Sequence, residues 1–234
     1  MAILRQPDAE HLDTVRAAGA DRPRWTLVLP LKGGPAAKSR LGGGPGLARA
    51  IAEDCLEAVL ACRAVKTTLV VTADPETAAR ARLAGARTVA ETRPGAGLNA
   101  AVQDGLAAAA AADHRRGPTA VLLGDLPALR PEDLAAGLGA VRAALELHPD
   151  AAMAAVADAE GSGTVLLAGR SPSGLDPAFG PGSMAGHVLR GAIAVHLDSD
   201  RLRRDVDTVD DLIVARALGV GRRTARLSAD LADR

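Results

Sequence analysis

An α/β fold with a mostly parallel sheet covered by helices on both faces is what this sequence predicts, on three observations. Apolar, strand-like runs alternate with helical segments of ten or more residues as far as His148. Several of those runs end in glycine-bearing or acidic loops, at the strand ends where open α/β sheets bind ligands. The chain has 234 residues, enough for one large domain to bury its core without disulfides or a structural metal.

The elements follow in order. Residues 25–31 (Trp-Thr-Leu-Val-Leu-Pro-Leu) form a compact apolar run ending in glycines, the pattern of a buried first strand feeding a loop. Residues 46–63 place Leu47, Ile51, Cys55, Leu56, Val59 and Leu60 on one helical face. A β-branched strand over 67–72 stops before Asp74-Pro75, which start the next helix. A short strand over 87–90 leads through Pro94-Gly95-Ala96-Gly97 into a helix over 98–112. The strand 119–123 is broken by Gly124-Asp125-Leu126-Pro127, and a helix starts near Pro131. Beyond His148 the pattern changes to strands over 151–157, 164–168 and 192–197, joined by the glycine loops at 161–163 and 180–184. A last helix over 208–218 ends at Gly219. The expected organisation is an extension over 1–24, a single domain over 25–218, and a loosely held arginine-rich tail over 219–234.

Composition narrows the function. Basic and acidic side chains balance at 28 each, so no global charge marks a nucleic-acid or membrane surface. One Trp, one Phe and no Tyr leave no aromatic platforms for stacking bases, and the core must be Ala, Val and Leu. Cys55 and Cys62 fall two turns apart on a helix, too far to bridge, and read as reduced core thiols. The five histidines are scattered without metal-ligand spacing, which argues against zinc. Residues 1–24 lack the apolar core of a signal peptide, and no apolar run has the length of a membrane span. The expectation is a soluble, cytoplasmic protein, monomeric or homodimeric.

Five local signals carry chemistry. Lys32, Lys38 and Arg40 stand in a glycine-rich loop after the first strand, where backbone N–H groups and cations can neutralise a triphosphate. It is not a P-loop, and taken alone it also reads as a solvated connection. Asp125 stands at a strand end, where a carboxylate can hold Mg²⁺ and Gly124 leaves space for a phosphate or ribose; the plainer reading is a turn aspartate. Asp205 and Asp207 share a face if their segment is extended, which permits joint metal binding. Against that, Thr208 and Asp211 have capping-box spacing and an aspartate before a helix is ordinarily a cap. Asn99 after Gly97 is either a helix cap or an amide that reads a base or ribose edge. Thr164 after Gly163 and Ser183 in the 180–183 loop offer hydroxyls and backbone donors to a small phosphorylated or carboxylated acid, or serve as loop turns. His187 and His196 read as structural, His196 because it lies in an apolar run.

As a set these residues resemble the phosphoenolpyruvate or 2-phospho-L-lactate guanylyltransferase family of coenzyme F-420 biosynthesis. The matching features are Leu29-Pro30-Leu31-Lys32, Ala37-Lys38-Ser39-Arg40-Leu41, Gly97-Leu98-Asn99, Gly124-Asp125-Leu126-Pro127, Gly163-Thr164, Phe179-Gly180-Pro181-Gly182-Ser183, and Asp205-Val206-Asp207-Thr208-Val209-Asp210-Asp211-Leu212. Gly-Asp-x-Pro and Asp-x-Asp-Thr also occur in molybdopterin nucleotidyltransferases. The resemblance implies a three-layer, nucleotide-diphospho-sugar-transferase-like (Rossmann-like) fold, GTP as donor and Mg²⁺ as cofactor. It implies Lys32, Lys38, Arg40 and Asp125 as catalytic residues and Asp125, Asp205 and Asp207 as metal ligands. On the nucleotide it puts Leu29, Pro30, Lys32, Gly97, Asn99 and Gly124, and on the phosphorylated three-carbon acid Thr164, Gly180 and Ser183. Phosphoenolpyruvate, 2-phospho-L-lactate and 3-phosphoglycerate all remain open as that acid. The alternatives are a molybdopterin or sugar-phosphate nucleotidyltransferase, or a nucleotide-binding module without turnover.

Overall fold

The computed structural model describes residues 23–32, 44–111 and 117–229. Seven strands form one sheet in the order β3-β2-β1-β4-β6-β5-β7: β1 (Trp25–Pro30), β2 (Val65–Thr72), β3 (Arg87–Ala90), β4 (Thr119–Leu122), β5 (Met153–Ala157), β6 (Thr164–Gly169) and β7 (Ile193–Val195). The pairings β1–β2, β1–β4, β2–β3 and β5–β7 are parallel, whereas β6 runs antiparallel to both β4 and β5. A single reversed strand, β6, therefore divides the parallel half β3-β2-β1-β4 from a second part built by β5 and β7.

Eight helices among the described residues cover this sheet: α1 (Gly44–Ala61), α2 (Pro75–Ala84), α3 (Leu98–Ala111), α4 (Pro131–Leu147), α5 (Ser183–Leu189), α6 (Asp200–Arg203), α7 (Val209–Leu218) and α8 (Arg222–Leu227). Strand alternation sorts the core into two layers. Leu27 and Leu29 of β1 face α1 and α4 through Cys55, Leu56, Val59, Leu134 and Leu138. Val28 faces the other way, with Val71, Val102, Leu106 and Phe179. With a helical layer on each side, this is the three-layer α/β sandwich the sequence predicts. Cys55 and Cys62 are buried free thiols, as expected.

Local end signals act where the sequence puts them. Asp74 caps α2 ahead of Pro75, Thr208 and Asp211 form a capping box on α7, and Gly219 closes α7 in the left-handed region. Three expectations need correction. Ser183 begins helix α5, so the glycine loop ends there and does not run on through Met184. The last strand stops at Val195, which leaves His196 exposed beyond an edge strand and not inside an apolar one. Residues 222–229 are packed, not loosely held, because buried Asp54 of α1 accepts the Thr224 N–H at 2.7 Å and the Arg223 N–H at 3.3 Å. A carboxylate at a helix N-terminus satisfies orphan donors and the helix dipole together, and that contact docks α8 on α1. No described helix is long and apolar enough to cross a membrane.

Candidate active site

The carboxyl ends of β1, β2 and β4 converge with the loop before α3. Leu31 continues β1 by donating its N–H to Val71 O at 2.9 Å, and its side chain is buried, so the next residue, Lys32, turns out to solvent. Lys32 lines a cavity of about 460 Å³ together with Pro30, Asp74, Glu91, Gly97 and Leu98. Asp74 is already committed there: its Oδ2 accepts from the Thr77 hydroxyl at 2.6 Å and the Thr77 N–H at 2.8 Å, bonds that hold its carboxyl below the usual range. A larger cavity of about 720 Å³ lies between α1, α2 and α8, with an ion-paired rim including Arg80, Glu53 and Arg223. It reaches the strand ends only at Leu31 and Lys32, so the smaller cavity is the one at the ligand-binding edge. Lys38 and Arg40 lie outside the described residues.

Packing alone already requires a glycine at position 124. A Cβ there would lie 2.2 Å from Leu31 Cδ2 and 3.4 Å from Pro30 O. The missing side chain admits Leu31, which lets the loops after β1 and β4 touch. Asp125 follows, half-buried, with Oδ1 out of solvent. Its loop is tied to the C-terminal segment by two backbone bonds, Val206 N–H to Asp125 O at 3.0 Å and Gly221 N–H to Pro127 O at 2.8 Å.

The first of those bonds brings Asp205 beside Asp125. Burial, and then the charges of Asp125, Asp207 and Asp158, push the Asp205 carboxyl up to about 7. One oxygen each from Asp158, Glu160 and Asp205 lies within 4.8 Å of the others. Asp205 therefore joins two acidic sets: the expected one with Asp125 and Asp207, and a second with Asp158 and Glu160 that sequence reasoning missed. Members of the second set have other tasks. Asp158 accepts the Ser162 and Gly163 N–H groups at 3.0 and 2.7 Å, and Glu160 pairs with Arg204 at 2.6 Å. The aspartate followed by Gly161-Ser162-Gly163 is the turn signal that could have revealed Asp158. Asp207 is exposed and is not the cap of α7; that is Thr208. Oxygen-only donors gathered around a partly buried carboxyl suit a hard divalent cation.

On the other side of the reversed strand, Thr164 opens β6 and is buried, and Ser183 begins α5 after Gly180 and Gly182, both at positive φ. Thr164 Oγ1 lies 2.9 Å from Nδ1 of buried His187, whose Nε2 accepts the Ala178 N–H at 2.9 Å. Asn99 is the second residue of α3, so it is not that helix's cap, and both ends of its amide meet the Phe179 backbone at 2.8 Å. The amide thus joins α3 to the 179–183 turn. Chemically, the edge assembles a cation at Lys32, carboxylates around Asp205 and a turn rich in backbone donors, the parts required to hold polyphosphate against a second anion.

A model of the MobA-like NTP transferase domain matches residues 33–192. A protein of Streptomyces scabiei named phosphoenolpyruvate guanylyltransferase is 48% identical over 219 residues, covering 89% of this chain and 97% of that one. One of Salinispora arenicola with the same name is 47% identical over 209 residues, covering 87% and 92%. Among solved structures, CMP:2-keto-3-deoxy-manno-octonic acid synthetase complexed with CTP has a TM-score of 0.52 at 13% identity, covering 83% of this chain and 98% of its own. A cytidylyltransferase of Leptospira borgpetersenii has a TM-score of 0.53 at 12% identity, covering 91% and 95%. The fold is that of the nucleotide-diphospho-sugar transferases, as the resemblance implied. A family model over more than half of the chain and relatives over most of it lead to one conclusion: the chain is a nucleotidyltransferase of the MobA-like NTP transferase family and belongs with the phosphoenolpyruvate guanylyltransferases.

Proposed function

We propose that this chain moves GMP from GTP to phosphoenolpyruvate, giving enolpyruvyl-diphospho-guanosine and pyrophosphate, as a step in coenzyme F-420 biosynthesis. The observation that carries the reading is the 48% identity, over nearly the whole chain, to a relative named for that activity. In the reaction an oxygen of the acceptor's phosphate attacks the α-phosphorus of GTP in line. A new phosphoanhydride bond forms, the bond from the α-phosphorus to the bridging oxygen breaks, and pyrophosphate leaves with the electron pair. An ionised phosphate is already a nucleophile, so no general base is needed and the site acts by positioning and charge neutralisation.

Asp125 and Asp205 would hold Mg²⁺ in this reading, and exposed Asp207 would be the third ligand. Support for a hard divalent ion comes from the oxygen-only surroundings of Asp205, which feels the charges of Asp125 and Asp207 and has Asp158 and Glu160 oxygens within 4.8 Å. When bound, Mg²⁺ neutralises charge on the α-phosphate and the departing pyrophosphate. Lys32 steadies the triphosphate from the mouth of the cavity it shares with Pro30 and Gly97, and Lys38 and Arg40 complete the cationic loop. Thr164, Gly180 and Ser183 grip the acid. 2-Phospho-L-lactate and 3-phosphoglycerate share its anionic groups and are the other acceptors to try.

The test is pyrophosphate release from GTP, ATP or CTP with Mg²⁺ and a panel of phosphorylated acids, sugar phosphates and molybdopterin. Release with GTP and phosphoenolpyruvate alone is the expected result. Preference for a sugar phosphate or molybdopterin would replace the acceptor, and no release with any pair would make the chain a binding module.

A further inference from the structure

On the acceptor side, Thr164 is backed by a buried polar network whose other members have no part in the chemistry above. His187 is fully buried on α5 with both ring nitrogens engaged. A backbone N–H can only donate, so the Nε2 that faces Ala178 N at 2.9 Å carries no proton. Neutral imidazole then holds its proton on Nδ1, which donates to Thr164 Oγ1 at 2.9 Å. The hydroxyl's own hydrogen must point away from the ring. Its other neighbour is the Met184 thioether at 3.8 Å, a weak acceptor, so this hydrogen is available to a stronger one.

The adjoining residue is held as firmly. Asn99 Nδ2 donates to Phe179 O and Asn99 Oδ1 accepts the Phe179 N–H, each at 2.8 Å, across 80 positions of chain. The Phe179 ring meets His187 edge-on, with centroids 5.0 Å apart. Ala178 and Phe179 lead directly into Gly180 and Ser183, whose N–H closes the turn onto Gly180 O at 3.0 Å.

We propose that His187 and Asn99 are positioning residues for the acceptor: together they fix the backbone that enters the 180–183 turn, and His187 makes the Thr164 hydroxyl a donor to an anionic oxygen of the acid. This rests on the reading of Thr164, Gly180 and Ser183 as the acceptor side. Burial, and then Arg190, hold His187 below its usual range against the opposing pull of Asp176, which keeps the ring neutral. Arg190 and Asp176, the charged groups that face the ring, pair with each other at 3.4 Å. A second proton would sit on Nε2 and confront the Ala178 N–H with another donor.

Four variants and one spectrum test it. His187→Gln keeps an acceptor at the Nε2 end and removes the Nδ1 donor; Thr164→Val removes the hydroxyl. Each is expected to raise the KM for phosphoenolpyruvate about tenfold, the cost of one charge-assisted hydrogen bond, with the KM for GTP within about twofold. The double variant is expected to be no worse than Thr164→Val, because His187 acts through that hydroxyl. Asn99→Ala is expected to raise the acceptor KM selectively. Heteronuclear NMR of imidazole-labelled protein is expected to show the Nδ1–H tautomer at neutral pH, whatever the acceptor proves to be. GTP and acceptor KM values rising in step, additive losses in the double variant, or an Nε2–H tautomer would each overturn the proposal. Wild-type protein that turns over no phosphorylated acid would sink the guanylyl-transfer reading instead, and the tautomer would still decide the hydrogen-bond scheme.

Discussion

The Val206 N–H donates to the carbonyl oxygen of Asp125 at 3.0 Å. That one backbone bond ties the loop after β4 to the segment before α7 and brings near each other two carboxylates, Asp125 and Asp205, that stand 80 positions apart in sequence. Burial first, and then this proximity, make the Asp205 charge costly for the protein alone and raise its carboxyl. A cation between them would turn the cost into binding.

Asp125→Asn and Asp205→Asn are each expected to reduce Mg²⁺-dependent turnover by at least about 100-fold, since each removes an anionic ligand at nearly constant shape. Circular dichroism should show the fold unchanged. Near wild-type rates for both variants at saturating Mg²⁺ would refute the metal assignment.

Asp205 also makes a prediction about pH. Its carboxyl titrates near 7 in the folded protein against an ordinary value of 3.8. Between those values the folded state binds more protons than the unfolded one, so stability falls as pH rises from about 4 through 7. Asp205→Asn never acquires the charge. Without metal, the variant is expected to melt like wild type near pH 4 but to be more stable near pH 8, by roughly 1–4 kcal/mol, or at least about 2–4 °C. Added Mg²⁺ is expected to raise the wild-type Tm and leave the variant's unmoved. A variant less stable than wild type at pH 8 would reverse the argument.

Asp54→Ala is expected to cost about 2–3 kcal/mol, because it strands the N–H groups of Thr224 and Arg223, while the Arg223 guanidinium keeps Glu53 and Glu57. Gly221 lies against Asp54 and also donates to Pro127 O, so loosening α8 reaches the Asp125 loop. The variant should lose protection from proteolysis at its C-terminus and part of its turnover. Full activity with an early loss of residues 222–229 would show that α8 does not support the site.

Lys32→Ala is expected to raise the KM for GTP and to lower kcat, since the cation neutralises charge in the ground state and as pyrophosphate leaves. Steady-state kinetics with each substrate varied would check it. A defect confined to the acceptor would move Lys32 to the other side of the site.

These residues also mark where the sequence was readable. Asp74-Pro75, Thr208 with Asp211, and Gly219 were legible because a cap needs only partners within a turn of itself. The run 25–31 declared a buried strand because both faces of β1 are covered, so it is apolar throughout. The reversal of β6 was not legible, because strand direction depends on pairings such as Val121 with Leu167 that leave no local periodicity. Asn99 reads as a cap or a base contact until Phe179 is brought to it, and Asp54 is one more acid on a helix until α8 lands on it. Asp158 and Glu160 escaped notice for the same reason: only the fold brings them to Asp205.

The central claim is that the acceptor's own phosphate becomes the second phosphorus of a new diphosphate. Phosphorus NMR of a reaction containing GTP, phosphoenolpyruvate, Mg²⁺ and the full chain tests it most directly. The account expects the phosphoenolpyruvate phosphorus to become spin-coupled to the former α-phosphorus of GTP, with one pyrophosphate released for each product formed. GTP consumed while the phosphoenolpyruvate signal stays unchanged, or GMP released without a coupled diphosphate pair, would contradict it.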